Sequence, residues 1–385
     1  MKLTKRSDGR YTTAVSLGRG KRKYVYGTNP DDVKRKAVAV LSAHYEGKTI
    51  TTAKGSVGAF LDRWIKHLQA EGRLRPRTLA GYEQYVELYL KPGLGSVPLA
   101  KLTAADVAEF LAARKARPRD GRKGRTAEKL SPLTMRHCHA ILRRALKQAM
   151  RWELIAKNPA SADFIDAPRV QRKEARYLGA AEARKLLGVL KEDRLGALFL
   201  VMIATGLRPS EAYGLTWARV DLDAAVLHIR EGLERDRETR RWFLGELKTE
   251  KSRRDLPLPA PAVGALREYR LQQNEEKMAF RKEWRDAPLP DLVFTTRGGN
   301  PLDDAHVRRT FRELLEVAGV PHATPYALRH SWASLALLQG VPLRVVAEGL
   351  GHTGVTLAAT TYAHVAPELQ RDAADRIGKV LLGED

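Results

Sequence analysis

Four short segments in the second half of this 385-residue chain combine side chains suited to phosphate chemistry. The first is Ala204-Thr205-Gly206-Leu207-Arg208-Pro209-Ser210-Glu211. Here an arginine follows an apolar run and a glycine turn, and Pro209 suits the first turn of the next helix. Glu211 lies one turn on, where its carboxylate can support the helix start or orient the guanidinium. A plain surface ion pair fits the same two residues. The second segment, Leu247-Lys248-Thr249-Glu250-Lys251-Ser252-Arg253-Arg254-Asp255-Leu256-Pro257-Leu258, reads as a hairpin arm. A lysine at its tip can deliver a proton to a leaving oxygen, although most hairpin lysines simply face water. The third is Thr324-Pro325-Tyr326-Ala327-Leu328-Arg329-His330-Ser331. Pro325 fits a helix start, which puts Tyr326 and Arg329 on one face at i, i+3, and His330 on another face as a core histidine. The fourth is Leu350-Gly351-His352, followed ten residues later by Tyr362 in Thr360-Thr361-Tyr362-Ala363-His364-Val365. His364 reads as a helix-surface residue.

The composition limits what these segments can serve. The formal charge is +23, and its distribution is uneven. Residues 1–54 carry 13 basic and 4 acidic side chains, residues 55–171 carry 22 and 11, and the last 214 residues carry 33 and 30. A basic field over the first 171 residues attracts polyanions, of which nucleic acid is the commonest inside a cell. With 43% hydrophobic residues the chain can build cores, so a disordered basic tail is excluded. A single cysteine, Cys138, excludes a disulfide scaffold and cysteine-based zinc or iron–sulfur sites. The histidines show no H-E-x-x-H or comparable metal-ligand spacing. The apolar run from Leu195 to Leu207 is too short to span a bilayer and reads as a buried helix. The basic start MKLTKRSDGR lacks a following apolar stretch, so no signal peptide is expected and the cytoplasm is the expected compartment.

The elements that must position these residues fall into three blocks. Residues 10–27 alternate as short strands around a Gly-Arg-Gly turn, and a helix from about Pro30 to Tyr45 follows, with Val33, Ala37, Val40 and Leu41 on one face. Lys48 to Lys54 read as a linker. Helical periodicity then starts after Ser56, at Pro76, after Thr103 and at Ser131-Pro132. Thr103 and Asp106 have capping-box spacing. Between the last two of these helices, Arg114 to Lys129 form a basic loop, either solvated or folded onto phosphates. Asn158-Pro159 ends the block, and Ala160 to Glu174 read as an extended linker. Beyond it, helices are interrupted by strand-like stretches at Asp221 to Arg230 and Trp242 to Leu258. The fold class expected is multidomain and mainly α with small β elements.

In order, an Arg followed three residues on by an acid, a Lys-bearing arm, a box ending in Arg329, an L-G-H box and a tyrosine occur within 155 residues. Together these motifs resemble those of the tyrosine recombinase, or phage integrase, family, and the likeness covers nearly the whole chain. It implies three domains: a small β-sheet and helix arm-type DNA-binding domain at 1–54, a helical core-site DNA-binding (SAM-like) domain at 55–158, and a mixed α/β, mostly helical catalytic domain at 172–385. It implies Tyr362 as the nucleophile of a covalent 3′-phosphotyrosine, Arg208 and Arg329 as a phosphate clamp, Lys248 as general acid toward the 5′-oxygen, and His352 as a phosphate or tyrosine partner. Glu211 supports Arg208. The family's usual histidine is replaced by Tyr326, whose phenol, with a pKa of about 10, is a poor base but can donate to phosphate. No metal or nucleotide cofactor is implied. The implied partners are double-stranded DNA attachment sites, three further copies of the chain in a homotetramer, and accessory DNA-bending proteins, with no membrane. A role in integrating or excising a phage or mobile element follows. A type IB topoisomerase-like enzyme shares the clamp and tyrosine. A non-catalytic regulator derived from a recombinase is the other alternative, opposed by the presence of every motif residue.

Overall fold

A computed structural model describes residues 3–16, 22–45, 55–113, 130–171, 176–236, 239–247 and 249–382. The Lys48–Lys54 linker, the Arg114–Lys129 loop and Lys248 lie outside the described residues. The chain divides into two compact units, Met1–Arg172 and Lys173–Asp385.

In the first unit, alternation of large and small side chains builds an antiparallel sheet from β1 (Thr4–Lys5), β2 (Tyr11–Ser16) and β3 (Arg22–Gly27). Pairing of Thr12 with Tyr26 and Ala14 with Tyr24 turns Val15 and Val25 inward. There they meet Val33 and Ala37 of α1 (Pro30–Tyr45). Tyr24 and Tyr26 stay exposed on the outer face, with the Arg6 guanidinium over the Tyr26 ring.

The helices that follow begin where the sequence offers caps. In α2 (Val57–Glu71) the Ser56 hydroxyl accepts from Ala59 N–H, and left-handed Gly72 closes the end. The helix opened by Pro76 does not run evenly: α3 (Pro76–Tyr85) passes through a wide π turn at Val86–Leu90 into α4 (Lys91–Leu94). Pro92 has no N–H to give, and the Lys91 N–H reaches back five residues to Val86. Thr103 and Asp106 cap α5 (Ala104–Ala113) reciprocally, and Ser131 caps α6 (Pro132–Arg151). Leu61, Trp64, Leu90, Val107, Leu142 and Leu146 form the shared core. Cys138 sits inside it, where burial pushes its thiol up to about 12, so it is an inert packing residue.

The second unit opens with α7 (Ala180–Leu190) and α8 (Gly196–Thr205), which is apolar on nearly every face and largely buried. Then come α9 (Pro209–Tyr213), β4 (Val220–Asp221), β5 (Val226–Ile229), β6 (Glu231–Arg235), β7 (Trp242–Glu246) and β8 (Arg254–Pro257). The hairpin is β6 with β7, one step earlier than the 247–258 arm expected from the sequence. The chain leaves that hairpin through a 3-10 turn at Glu250–Ser252 and enters β8, which pairs with β5. Burial decides this: Leu256 and Leu258 join Leu227 and Ile229 in the core, which a free arm would leave in water. Helices α10 (Ala260–Ala279), α11 (Arg281–Arg285), α12 (Asp304–Val317) and α13 (Tyr326–Leu338) complete this layer. Finally α14 (Leu343–Gly349), α15 (Val355–Thr361) and α16 (Ala366–Leu382) follow, with Val346, Ala347, Leu350, Ala358 and Tyr362 packed on Ala333 and Leu337 of α13. Among the described residues no helix is long and apolar enough to cross a membrane.

Gly206 ends α8 in the left-handed region at φ 66°, and a Cβ there would meet the Trp332 ring at 2.7 Å. Gly206→Ala is therefore expected to cost about 1–3 kcal/mol through backbone strain and a displaced indole. Denaturant unfolding of both proteins checks this; an unshifted midpoint contradicts it.

Candidate active site

Arg208, Tyr326, His352 and Tyr362 stand at or just beyond helix ends. Arg208 is the N-cap of α9, set there by the glycine turn closing α8 and by Pro209 in the first helical turn. Its backbone N–H donates to Glu211 Oε2 at 3.0 Å and its Nη1 to Oε1 at 2.6 Å. Both roles offered by the sequence hold, and the pair is no surface pair, since Glu211 is only 1% exposed. A second guanidinium, Arg254 at the start of β8, grips the same carboxylate: Nη2 to Oε2 at 2.9 Å and Nη1 to Oε1 at 3.3 Å. Burial alone would raise the Glu211 pKa, but Arg254 and Arg208 hold it below the usual carboxylate value. It is ionised at neutral pH.

The L-G-H segment follows the C-terminus of α14, where helix carbonyls lack intrahelical partners and carry partial negative charge. Two arginines donate to carbonyls at this helix end, and two further cations donate to carbonyls of the turn that follows it. Arg254 Nε reaches Gly349 O at 2.6 Å, Arg329 Nη2 reaches Leu350 O at 2.7 Å, Arg208 Nη2 reaches Gly351 O at 3.3 Å, and Lys251 Nζ reaches Thr353 O at 3.2 Å. Arg329 also donates through Nη1 to Gly206 O at 2.8 Å, so one buried fork ties the turn before Arg208 to the turn before His352. At 1% exposure Arg329 braces these turns, whereas the Arg208 guanidinium is the more accessible of the two. Burial first, then Arg208, push the Arg329 guanidinium down to about 10, which leaves it charged at neutral pH.

His352 is half-buried beside these cations, and its Nδ1 has no hydrogen-bond partner. Burial foremost, then Arg329, Arg208 and Arg254, push its imidazole down to about 4. The ring is thus neutral at physiological pH: it is a weak base, but its free nitrogen lone pair can accept a hydrogen bond.

Tyr362 follows α15 and is 4% exposed. Burial pushes its phenol up to about 12, opposed by Arg329 and Arg208. Its ring packs on His330 at 5.7 Å between centroids, and His330 packs on Tyr326 at 5.1 Å. The sequence reading of His330 as a core histidine on another face is corrected here. One turn after Tyr326 at i, i+4, it is half-buried and lies between the two tyrosines, while Arg329 turns inward to the carbonyls. Tyr326 is 42% exposed at the first turn of α13.

Arg208, Glu211, Tyr326, Arg329, His352 and Tyr362 are thus brought into one cluster; Lys248, six residues before Arg254, is the candidate outside the described residues. The sequence reading missed Arg254 and His330. A period-two signal existed for the first, because Arg254 shares the inward positions of β8 with Leu256. Among the described residues no group of three His, Cys, Asp or Glu side chains is arranged to hold a metal ion.

The chain is similar in sequence and in fold to known proteins. Residues 176–368 match the phage integrase family, and residues 56–113 match the N-terminal SAM-like domain of phage integrases. The chain is 26% identical, over 97% of its length and 96% of the relative, to the tyrosine recombinase XerC-like protein of Caldanaerobacter subterraneus subsp. tengcongensis. It is 31% identical to an integrase of Streptomyces ambofaciens, over 90% of this chain and 86% of that one. The fold is similar to that of the Tn1549 transposon integrase in complex with a circular intermediate DNA, with a TM-score of 0.65 at 20% identity over 84% of this chain and 100% of that one. A lambda integrase tetramer bound to a Holliday junction gives a TM-score of 0.54 at 17% identity over 92% and 96%.

The displaced histidine is directly measurable. In an NMR titration with His352→Gln as the assignment control, the His352 ring signal is expected to stay neutral down to about pH 5. A midpoint near the ordinary 6.5 contradicts the site electrostatics.

Proposed function

The chain belongs to the phage integrase family of tyrosine recombinases, and on that premise we propose that it cuts and rejoins duplex DNA at specific sites through a 3′-phosphotyrosine on Tyr362. The observation that most supports this reading is the joining of four separate segments around one small region, with Arg329 bridging Gly206 and Leu350. In this reading the Tyr362 oxygen attacks the scissile phosphorus. The P–O bond to the 5′-carbon side breaks as the tyrosine–phosphorus bond forms, and the 5′-oxygen leaves with a proton from Lys248. Arg208, together with those N–H hydrogens of Arg329 that are not taken by the Gly206 and Leu350 carbonyls, stabilises the charge that develops on the non-bridging oxygens, where fixed donors lower the barrier most. Neutral His352 accepts from the phenol or donates to phosphate, and Tyr326 donates to phosphate. With Tyr362 almost fully covered, attack requires the turn after α15 to shift toward the backbone phosphate.

The first unit suits a second task. Its outer sheet face presents Arg22, Tyr24 and Tyr26 on alternate positions of β3, a basic and aromatic surface that fits a DNA groove. We assign residues 1–54 to arm-type DNA binding, 55–158 to core-site binding and 172–385 to catalysis. Exposed Ile377, Leu381 and Leu382 on α16 support assembly of several copies on DNA, a homotetramer in our reading, with DNA-bending proteins as further partners and a phage or other mobile element as the DNA moved.

A nicked suicide substrate carrying the attachment site tests the reading. The wild type is expected to give an SDS-resistant protein–DNA adduct and Tyr362→Phe none. Arg208→Ala is expected to slow adduct formation by about 10²–10³-fold with DNA binding retained. An adduct persisting in Tyr362→Phe contradicts the nucleophile assignment.

A further inference from the structure

Arg254 has no part in the chemistry just described, yet its side chain is only 7% exposed and it donates to two groups that hold the motifs, the Glu211 carboxylate and the Gly349 carbonyl. Nη2 and Nη1 take both oxygens of Glu211, Nε takes the Gly349 carbonyl, and Nη1 also reaches Ser252 O at 3.0 Å. Glu211 in turn orients Arg208 through a 2.6 Å bond, and Gly349 ends the helix from which His352 projects three residues later. The packing leaves little slack, because a Cβ on Gly351 would stand 3.1 Å from Arg254 Nη1. Its place at the start of β8 ties this fork to the strand that follows Lys248 by six residues.

We infer that Arg254 is a positioning residue for strand cleavage: by holding Glu211 and the Gly349 carbonyl together, it sets Arg208 and His352 in register for one phosphate without touching that phosphate. The inference rests on the tyrosine-recombinase reading above. It depends on guanidinium geometry and not on charge alone. A lysine ammonium is a point donor and cannot take both carboxylate oxygens while bonding Gly349 from a third nitrogen. A residue that only filled the core would affect folding and leave the rate of cleavage per folded molecule unchanged.

The test is single-turnover cleavage of the suicide substrate by full-length wild type, Arg254→Lys, Arg254→Met, Glu211→Gln and the Arg254→Met/Glu211→Gln double variant. Thermal melts and noncovalent DNA affinity are measured on each. Arg254→Lys is expected to stay folded, to bind DNA within about threefold of wild type, and to form adduct roughly 30-fold more slowly. The Met and Gln variants are each expected to slow cleavage by about 100-fold, and the double variant to be no slower than the worse single, because both break one chain of contacts. Arg254→Lys cleaving within about threefold of wild type overturns the inference, as do losses that multiply in the double variant. If the Met or Gln variants melt below the assay temperature, the Lys variant decides alone. A wild type that forms no adduct overturns the recombinase reading and this inference with it, whereas a reactive wild type matched by Arg254→Lys overturns the inference only.

Discussion

The catalytic unit is organised around the backbone carbonyls at the end of one short helix and in the turn that follows it. Gly349, Leu350, Gly351 and Thr353 each accept from a different cationic side chain, and those side chains come from the segment after α8, the segment before and at β8, and α13. Burying guanidinium groups is costly unless their donors are satisfied. Here the partial negative charge of a helix C-terminus and the single carboxylate of Glu211 supply that compensation. Removing one partner of such a buried pair typically costs about 3–5 kcal/mol, so these contacts select one geometry for the whole cluster. Three guanidinium groups against one carboxylate leave an excess of positive charge, which suits an anion such as the phosphodiester of the proposed reaction.

The same field sets the protonation states. A neutral imidazole at His352 follows from burial among cations, and the covered phenol of Tyr362 is held protonated by its own desolvation. In the proposed reaction such a phenol is a poor nucleophile where it lies, and the charge of Arg329 and Arg208 favours its phenolate. Two environments meet at this side chain: the apolar packing of α13 to α15 covers Tyr362, and the cationic cluster lowers the cost of its ionised form.

Much of this was readable in the residue order. Ser56, Thr103 with Asp106, and Ser131 announce three helices through local hydrogen bonds that need no tertiary context. Arg208 with Glu211 is legible for the same reason, since three residues in one turn settle their contact. The remainder depends on long-range packing. Arg254 meets Glu211 from 43 positions away. His330 lies between Tyr326 and Tyr362 only because α13 turns Arg329 toward carbonyls more than twenty residues distant. The hairpin was placed one step late because alternation in Trp242 to Leu258 marks strands without saying which pairs with which. Burial of Leu256 and Leu258 against β5 makes that choice.

In the proposed reaction these braced turns serve a single phosphoryl transfer to one tyrosine. Digesting the wild-type protein–DNA adduct with nuclease and protease, then sequencing the peptides by tandem mass spectrometry, tests it most directly. A residual nucleotide 3′-phosphate is expected on Tyr362, in the peptide that contains Thr360–Val365. A nucleotide on Tyr326, or on any residue outside this cluster, contradicts it.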